Sequence, residues 1–181
     1  MVELNPEVYV LRLGHRPNRD KRVTTHVALV ARALGASGFI MEGNDESVFK
    51  SVEKVKELWG RRDFVVQSVK NGRKFVEDWR RNGGRAIHLT MYGEGLNSKV
   101  GELRSQSPLL LIVGAEKVEG WYFRNVDYNV AIGHQPHSEV ASVAIFLDRI
   151  YMGEELDIQY SDAKLRILPQ RAGKRVVRVG S

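Results

Sequence analysis

The run Arg12-Leu13-Gly14-His15-Arg16-Pro17-Asn18-Arg19-Asp20-Lys21-Arg22 gathers five cations against one acid. A guanidinium can grip a phosphate through two parallel N–H bonds, which an ammonium cannot do. Arg22 and His26 are four residues apart and share a face if a helix begins that early. An imidazole titrates near neutrality and can take a proton from a reacting hydroxyl. Three other segments combine small and polar residues: Leu89-Thr90-Met91-Tyr92-Gly93, Gly114-Ala115-Glu116-Lys117-Val118, and Ile132-Gly133-His134-Gln135-Pro136-His137-Ser138-Glu139. Their backbone N–H and C=O groups, with Leu89, Val113 and Ile132 as apolar walls, suit a flat heteroaromatic ring read along its edge. A helix opening at Ser138 adds unpaired N–H groups there.

Other chemistries are excluded or poorly supported. The chain has no cysteine, hence no disulfide, thiol nucleophile or thiolate metal site. It has no P-loop, and Gly93-Glu94-Gly95 is only a fragment of a dinucleotide fingerprint, read as a flexible turn. His134 and His137 lack a carboxylate or cysteine at zinc-binding spacing, so no metal is expected.

These segments need strands and helices to place them. Val8 to Leu13 reads as a strand, and Thr24 or Thr25 as the cap of a helix ending at Gly35. That helix carries Val27, Val30, Ala31 and Leu34 at helical spacing. Gly38 to Glu42 is a second strand, and Asp45 caps a helix to about Trp59 with Val48, Val52, Val55 and Leu58 on one face. Phe64 to Val69, Arg85 to Thr90, Leu109 to Val113 and Tyr128 to Ile132 are the remaining strands. A helical piece runs from Lys74 to Arg81, and a last helix from Ser138 to about Met152. The alternation predicts an α/β fold, a mostly parallel sheet with helices on both faces. If the last three strands are neighbours, the three polar segments meet at one carboxyl edge, where open α/β sheets hold ligands.

A length of 181 residues suits one domain with a small appendage. The composition shifts after Gly153, which divides the chain into an α/β unit (1–152) and an extension (153–181). There, Leu165 to Leu168 and Arg175 to Val179 alternate basic and apolar residues and read as a β-hairpin. From Ser161 onward Lys164, Arg166, Arg171, Lys174, Arg175 and Arg178 face a single acid, Asp162. The alternation is expected to gather several charges on one side for RNA contact; the plainer alternative is a hairpin that seals a sheet edge. Net charge is +6, which suits a polyanionic partner without requiring one. No signal peptide and no apolar run near ~18 residues is present, so a soluble, cytoplasmic protein is expected.

Four stretches resemble the SPOUT superfamily of S-adenosylmethionine-dependent RNA methyltransferases, and within it the archaeal tRNA 2′-O-ribose methyltransferases that modify cytidine 56 of the T-loop. They are Arg19-Asp20-Lys21-Arg22-Val23-Thr24-Thr25-His26-Val27, His88-Leu89-Thr90-Met91-Tyr92-Gly93, Val113-Gly114-Ala115-Glu116-Lys117-Val118, and Gly133-His134-Gln135-Pro136-His137-Ser138-Glu139-Val140-Ala141. The resemblance covers nearly the whole chain, and the last run is its most specific part. It implies a deep trefoil knot in the C-terminal half, a homodimer and tRNA as substrate. It also implies a methyl donor, converted to S-adenosylhomocysteine, held by Leu89, Gly114, Ala115, Glu116, Lys117, Val118, Ile132, Gly133, His134, Gln135, Pro136, His137, Ser138 and Glu139. The superfamily gives an arginine of the first motif a decisive role. Arg22 is the first choice here, ahead of Arg16 and Arg19, to hold the target phosphate and stabilise the developing alkoxide. His26 is the candidate proton acceptor, and Arg16, Arg19, Lys174 and Arg175 are the expected RNA contacts. Two rivals remain: a non-catalytic tRNA-binding α/β protein, and an α/β enzyme acting on a small nucleotide-like ligand.

Overall fold

The computed structural model describes residues 4–114 and 117–179. Its central strands are β1 (Val8–Leu13), β2 (Gly38–Glu42), β3 (Val65–Val69), β4 (Arg85–Gly95), β5 (Leu109–Gly114) and β6 (Tyr128–Ala131). They form a six-stranded sheet in the order β3-β2-β1-β5-β4-β6, with every neighbouring pair parallel. β1 and β5 lie in its middle and are buried along nearly their whole length, as aliphatic strands covered on both faces must be.

The helices are α1 (Pro17–Ala33), α2 (Glu46–Trp59), α3 (Gly72–Arg81), α4 (Leu96–Leu103), α5 (Gly120–Asn125) and α6 (Glu139–Tyr151). Val27 of α1, Val52 of α2, Leu96 and Leu103 of α4, and Val143 and Phe146 of α6 share one core. Val76 of α3 and Tyr122 of α5 belong to the other. The covering face changes whenever the chain reverses direction across the sheet, as right-handed crossovers require. Asp45 caps α2 by accepting from the Ser47 N–H at 3.0 Å, and Ser138 caps α6 by accepting from the Ala141 N–H at 3.1 Å. Gly35 follows α1 at φ +87°, where a side chain would be strained.

Three features differ from expectation. α1 begins at Pro17, well before Thr24, which is wholly buried; proline is favoured in a first turn because its missing N–H is not needed there. α4 and α5 were not anticipated. Gly93-Glu94-Gly95 is the end of β4 rather than a flexible turn. The expected C-terminal hairpin is present as antiparallel β7 (Leu165–Leu168) and β8 (Arg175–Arg178). Its strand charges gather on one side only in part. The register sets Leu165 opposite Arg178, Arg166 opposite Val177 and Leu168 opposite Arg175, so Arg178 lies on one face and Arg166 and Arg175 on the other.

Candidate active site

β4 stands between β5 and β6, so the segment in its second half and the polar segments following β5 and β6 lie side by side. Leu89 and Glu94 of β4 both register with Val130 of β6, with Thr90 to Gly93 between them. A Cβ on Gly93 would overlap backbone atoms of Asn129 and Val130, so the two strands touch there through main chain. The Nδ1–H of His134 donates to the Met91 carbonyl at 2.8 Å, locking the third segment onto the first. Residues 133–138 are exposed, and Leu89 and Ile132 are half-buried beneath them. Gly133 holds φ +86° with nothing within 4 Å of where a side chain would project. Gly114 meets the Val118 side chain so closely that a Cβ would overlap it. Ala115 and Glu116 lie outside the described residues. Open backbone, half-buried aliphatic walls and the N-terminus of α6 fit an adenosine-bearing ligand.

Glu139 makes an ion pair that its place in the motif does not announce. It accepts from Arg12 Nε at 2.9 Å and from Arg12 Nη2 at 3.3 Å, joining the start of α6 to β1. The Arg12 side chain is 1% exposed and that of Glu139 22%. Burial pushes the Glu139 carboxyl above its ordinary pKa while Arg12 pulls it back. Nη1 of Arg12 has no hydrogen-bond partner among the described residues. Sequence reasoning counted Arg12 only as one cation of a basic run. The missed signal was its place in the apolar run Val8–Leu13, where a buried charge has to be paired.

Arg16 grips Asp20 through Nε at 2.9 Å and Nη2 at 3.2 Å, and Asp20 also accepts from the Arg16 backbone N–H. The Arg16 hydrogen bond is the main reason the Asp20 pKa is depressed. Arg16 lines a cavity of about 250 Å³ with Leu13, Gly14, Glu42, Lys117, Val118, Glu119 and Tyr122. This cavity lies at the carboxyl ends of β1 and β5, whose following helices α1 and α5 cover opposite faces; such switch points are where open α/β sheets take ligands. His15, also missed from sequence, pins the approach to α1. Its Nδ1 lies 2.7 Å from Thr24 Oγ1 and its Nε2 lies 3.2 Å from Asp45 Oδ2.

The other expected residues are more scattered. Because α1 starts early, Arg22 and His26 do share a helix face, but that face is exposed and neither residue lines the cavity. Arg19 is exposed one turn after Arg16. Lys174 and Arg175 are exposed on the hairpin. Its base is anchored near the C-terminus of α2, where Lys164 N–H donates to Leu58 O and Asp162 accepts from the Arg61 and Arg62 N–H groups. That end of α2 leads into the amino end of β3, opposite the carboxyl edge. The structure therefore joins Arg16 to Lys117 and Val118 and sets the hairpin base apart from them. No group of three His, Asp or Glu that could hold a metal occurs among the described residues. No helix among them is long and apolar enough to cross a membrane.

Comparison with known proteins agrees with this arrangement. The family described as tRNA ribose 2′-O-methyltransferase, aTrm56, matches residues 59–177. A tRNA (cytidine(56)-2′-O)-methyltransferase of Metallosphaera sedula is 55% identical over 169 residues, covering 93% of this chain and 97% of its own. That of Methanopyrus kandleri is 55% identical over 179 residues, covering 98% and 100%. Among solved structures, the SpoU methyltransferase AviRb from Streptomyces viridochromogenes, in complex with AdoMet, superposes with a TM-score of 0.58 at 19% identity over 84% of this chain and 59% of its own. A TrmH/SpoU tRNA modifying enzyme of A. aeolicus gives 0.56 at 14% identity, over 84% and 76%. The structural likeness gives the fold and the sequence likeness gives the kinship: the chain belongs to the family of tRNA (cytidine(56)-2′-O)-methyltransferases.

Proposed function

We propose that this chain transfers a methyl group from S-adenosylmethionine to the ribose 2′-hydroxyl of cytidine 56 in the tRNA T-loop. The observation that carries this reading is the meeting of three backbone-rich segments at the β5-β4-β6 edge, beside a cavity lined by Arg16. When bound, the donor supplies a methyl group already activated by its positive sulfur. The half-buried Leu89, Val118 and Ile132 give apolar contact for it, and the main chain of residues 133–138 gives hydrogen bonds. Gly114, Ala115, Glu116 and Lys117 complete that set in this reading. Glu139 serves it indirectly by fixing the start of α6 through Arg12.

The ribose hydroxyl is a poor acid, so the protein must stabilise its developing negative charge and remove its proton. Arg16 and Arg22 hold the target phosphate, and an imidazole nitrogen of His26 takes the proton. Arg22 and His26 reach a reaction centre only if a second copy covers the outer face of α1. Val23 on α1 and Ile145 and Met152 on α6 leave exposed apolar surface beside them, which supports a homodimer sealed along these helices. The knot belongs to the same reading, supported by the fold shared with SpoU-type methyltransferases. Residues 1–152 form the methyltransferase unit and 153–181 a cytoplasmic tRNA-gripping extension.

Calorimetry with S-adenosylmethionine, then tritiated-methyl transfer to unmodified tRNA, tests the proposal; binding and label mapped to cytidine 56 are expected. Salt-sensitive tRNA binding without donor binding would leave only the non-catalytic alternative. Arg22→Ala should lower turnover by roughly 10²–10³ with donor affinity kept, and near-normal methylation removes Arg22 from the mechanism. A monomer's mass in sedimentation removes the dimer.

A further inference from the structure

We infer that Tyr92 is the platform on which an unstacked nucleobase of the tRNA lies during methylation; this rests on the proposed function and names a contact within it. Tyr92 is 77% exposed, the most of any large apolar or aromatic side chain among the described residues. It is nonetheless held firmly. On one side of it the Met91 carbonyl accepts from His134 at 2.8 Å. On the other, Gly93 lies against the backbone of Asn129 and Val130. The ring centroid is 6.3 Å from that of Phe123 with the planes at 54°, and Phe123 meets the buried His88 edge-on at 4.7 Å. One side of Tyr92 is thus backed by a row of rings that leads into the core, while most of its surface faces water.

An aromatic carried on a fixed backbone and backed on one side loses little conformational freedom when a flat partner is laid on it. Nucleobases are such partners, and stacking on an aromatic ring tolerates any base because every base has a π-face. Recognition of single-stranded RNA loops relies on bases splayed onto such rings. The location fits as well. Tyr92 is three residues beyond Leu89, on the segment that His134 ties to the donor-side loop, so a base resting on it stays next to the carboxyl edge of the sheet.

The test uses the full chain and its Tyr92→Ala and Tyr92→Phe variants. Affinity for unmodified tRNA is read by direct binding and as KM, affinity for S-adenosylhomocysteine by calorimetry, and assembly by sedimentation. Tyr92→Ala should weaken tRNA binding on the order of 10- to 100-fold, with product affinity and assembly mass unchanged. Tyr92→Phe, which keeps the ring, should restore tRNA binding to within about threefold. Wild-type tRNA affinity in the alanine variant overturns the proposal. So does loss of S-adenosylhomocysteine binding, which would make the ring a donor cover, or a change of mass, which would make it a subunit contact. Failure of phenylalanine to rescue also overturns it, since the hydroxyl would then be what matters. Direct binding is readable even if the wild-type chain transfers no methyl group, so failure of the enzymatic reading and failure of this contact remain distinguishable.

Discussion

Arg12 occupies a strand position that its neighbours Val10, Leu11 and Leu13 would lead one to fill with an aliphatic side chain. Its charge is tolerated because Glu139 reaches it from α6, and the pair is worth more to the fold as a joint than as a source of net energy. Removing one partner strands the other. Arg12→Met should destabilise the protein by about 3–5 kcal/mol, read in thermal unfolding, and Arg12→Met with Glu139→Gln should recover much of that. Additive losses would show that the two side chains do not act together. The sign with pH follows from Glu139, whose folded-state pKa is raised by burial. Without Arg12 it rises further, so the folded variant binds more protons than the unfolded chain. Its stability then falls as pH rises through the ordinary carboxyl value toward the folded one. The defect of Arg12→Met should accordingly be smaller near pH 4 than at pH 7. From sequence the apolar run around the cation signalled burial, but its partner was not visible, because Glu139 lies 127 residues away and meets it only through the fold.

At the scale of elements, what could be read was what carries a local chemical mark. α2 and α6 have Asp45 and Ser138 as side-chain caps and regular apolar spacing, and both begin where those marks place them. α4 and α5 have Gly95 and Glu119 at their N-caps, neither of which makes a side-chain cap, and they are only 8 and 6 residues long. Nothing local announces them; packing against the sheet makes them. The start of α1 was obscured by Thr24 and Thr25, while the true start uses Pro17 and an Asp20 carboxylate that turns back to the Arg16 N–H. The end of β4 shows the same limit, because a glycine needed for backbone contact looks in sequence like a glycine needed for a turn. The two roles separate by substitution. Gly93→Ala places a methyl group on the backbone of β6 and should destabilise by more than about 2 kcal/mol. Gly95→Ala meets open space and should change stability by about 1 kcal/mol or less. Equal urea midpoints for the two variants would refute the close contact at Gly93.

For the whole molecule, parallel pairing followed from the alternation of strands and helices, and the adjacency of the last three strands was the condition on which the cleft depended. The order β5-β4-β6 meets it. Where the extension would dock was not readable, since Tyr160 and Asp162 reach Arg32, Arg61 and Arg62, partners about a hundred or more residues away in sequence. Two strands alone would be marginal in water, so these anchors are what hold the hairpin in place. Cations are thereby offered at two separate places, Arg16 and Arg19 at the carboxyl edge and Lys174 and Arg175 on the hairpin. A folded polyanion as large as a tRNA can meet both, and each phosphate neutralised releases counterions independently of sequence. The combined substitution Lys174→Ala and Arg175→Ala should therefore weaken tRNA binding and flatten the dependence of log K on log salt by about 1.5–2. Affinity for S-adenosylhomocysteine and the unfolding temperature should stay where they were, because both side chains are exposed. An unchanged salt slope would mean that the hairpin's charges never meet RNA, leaving tRNA to the carboxyl edge alone.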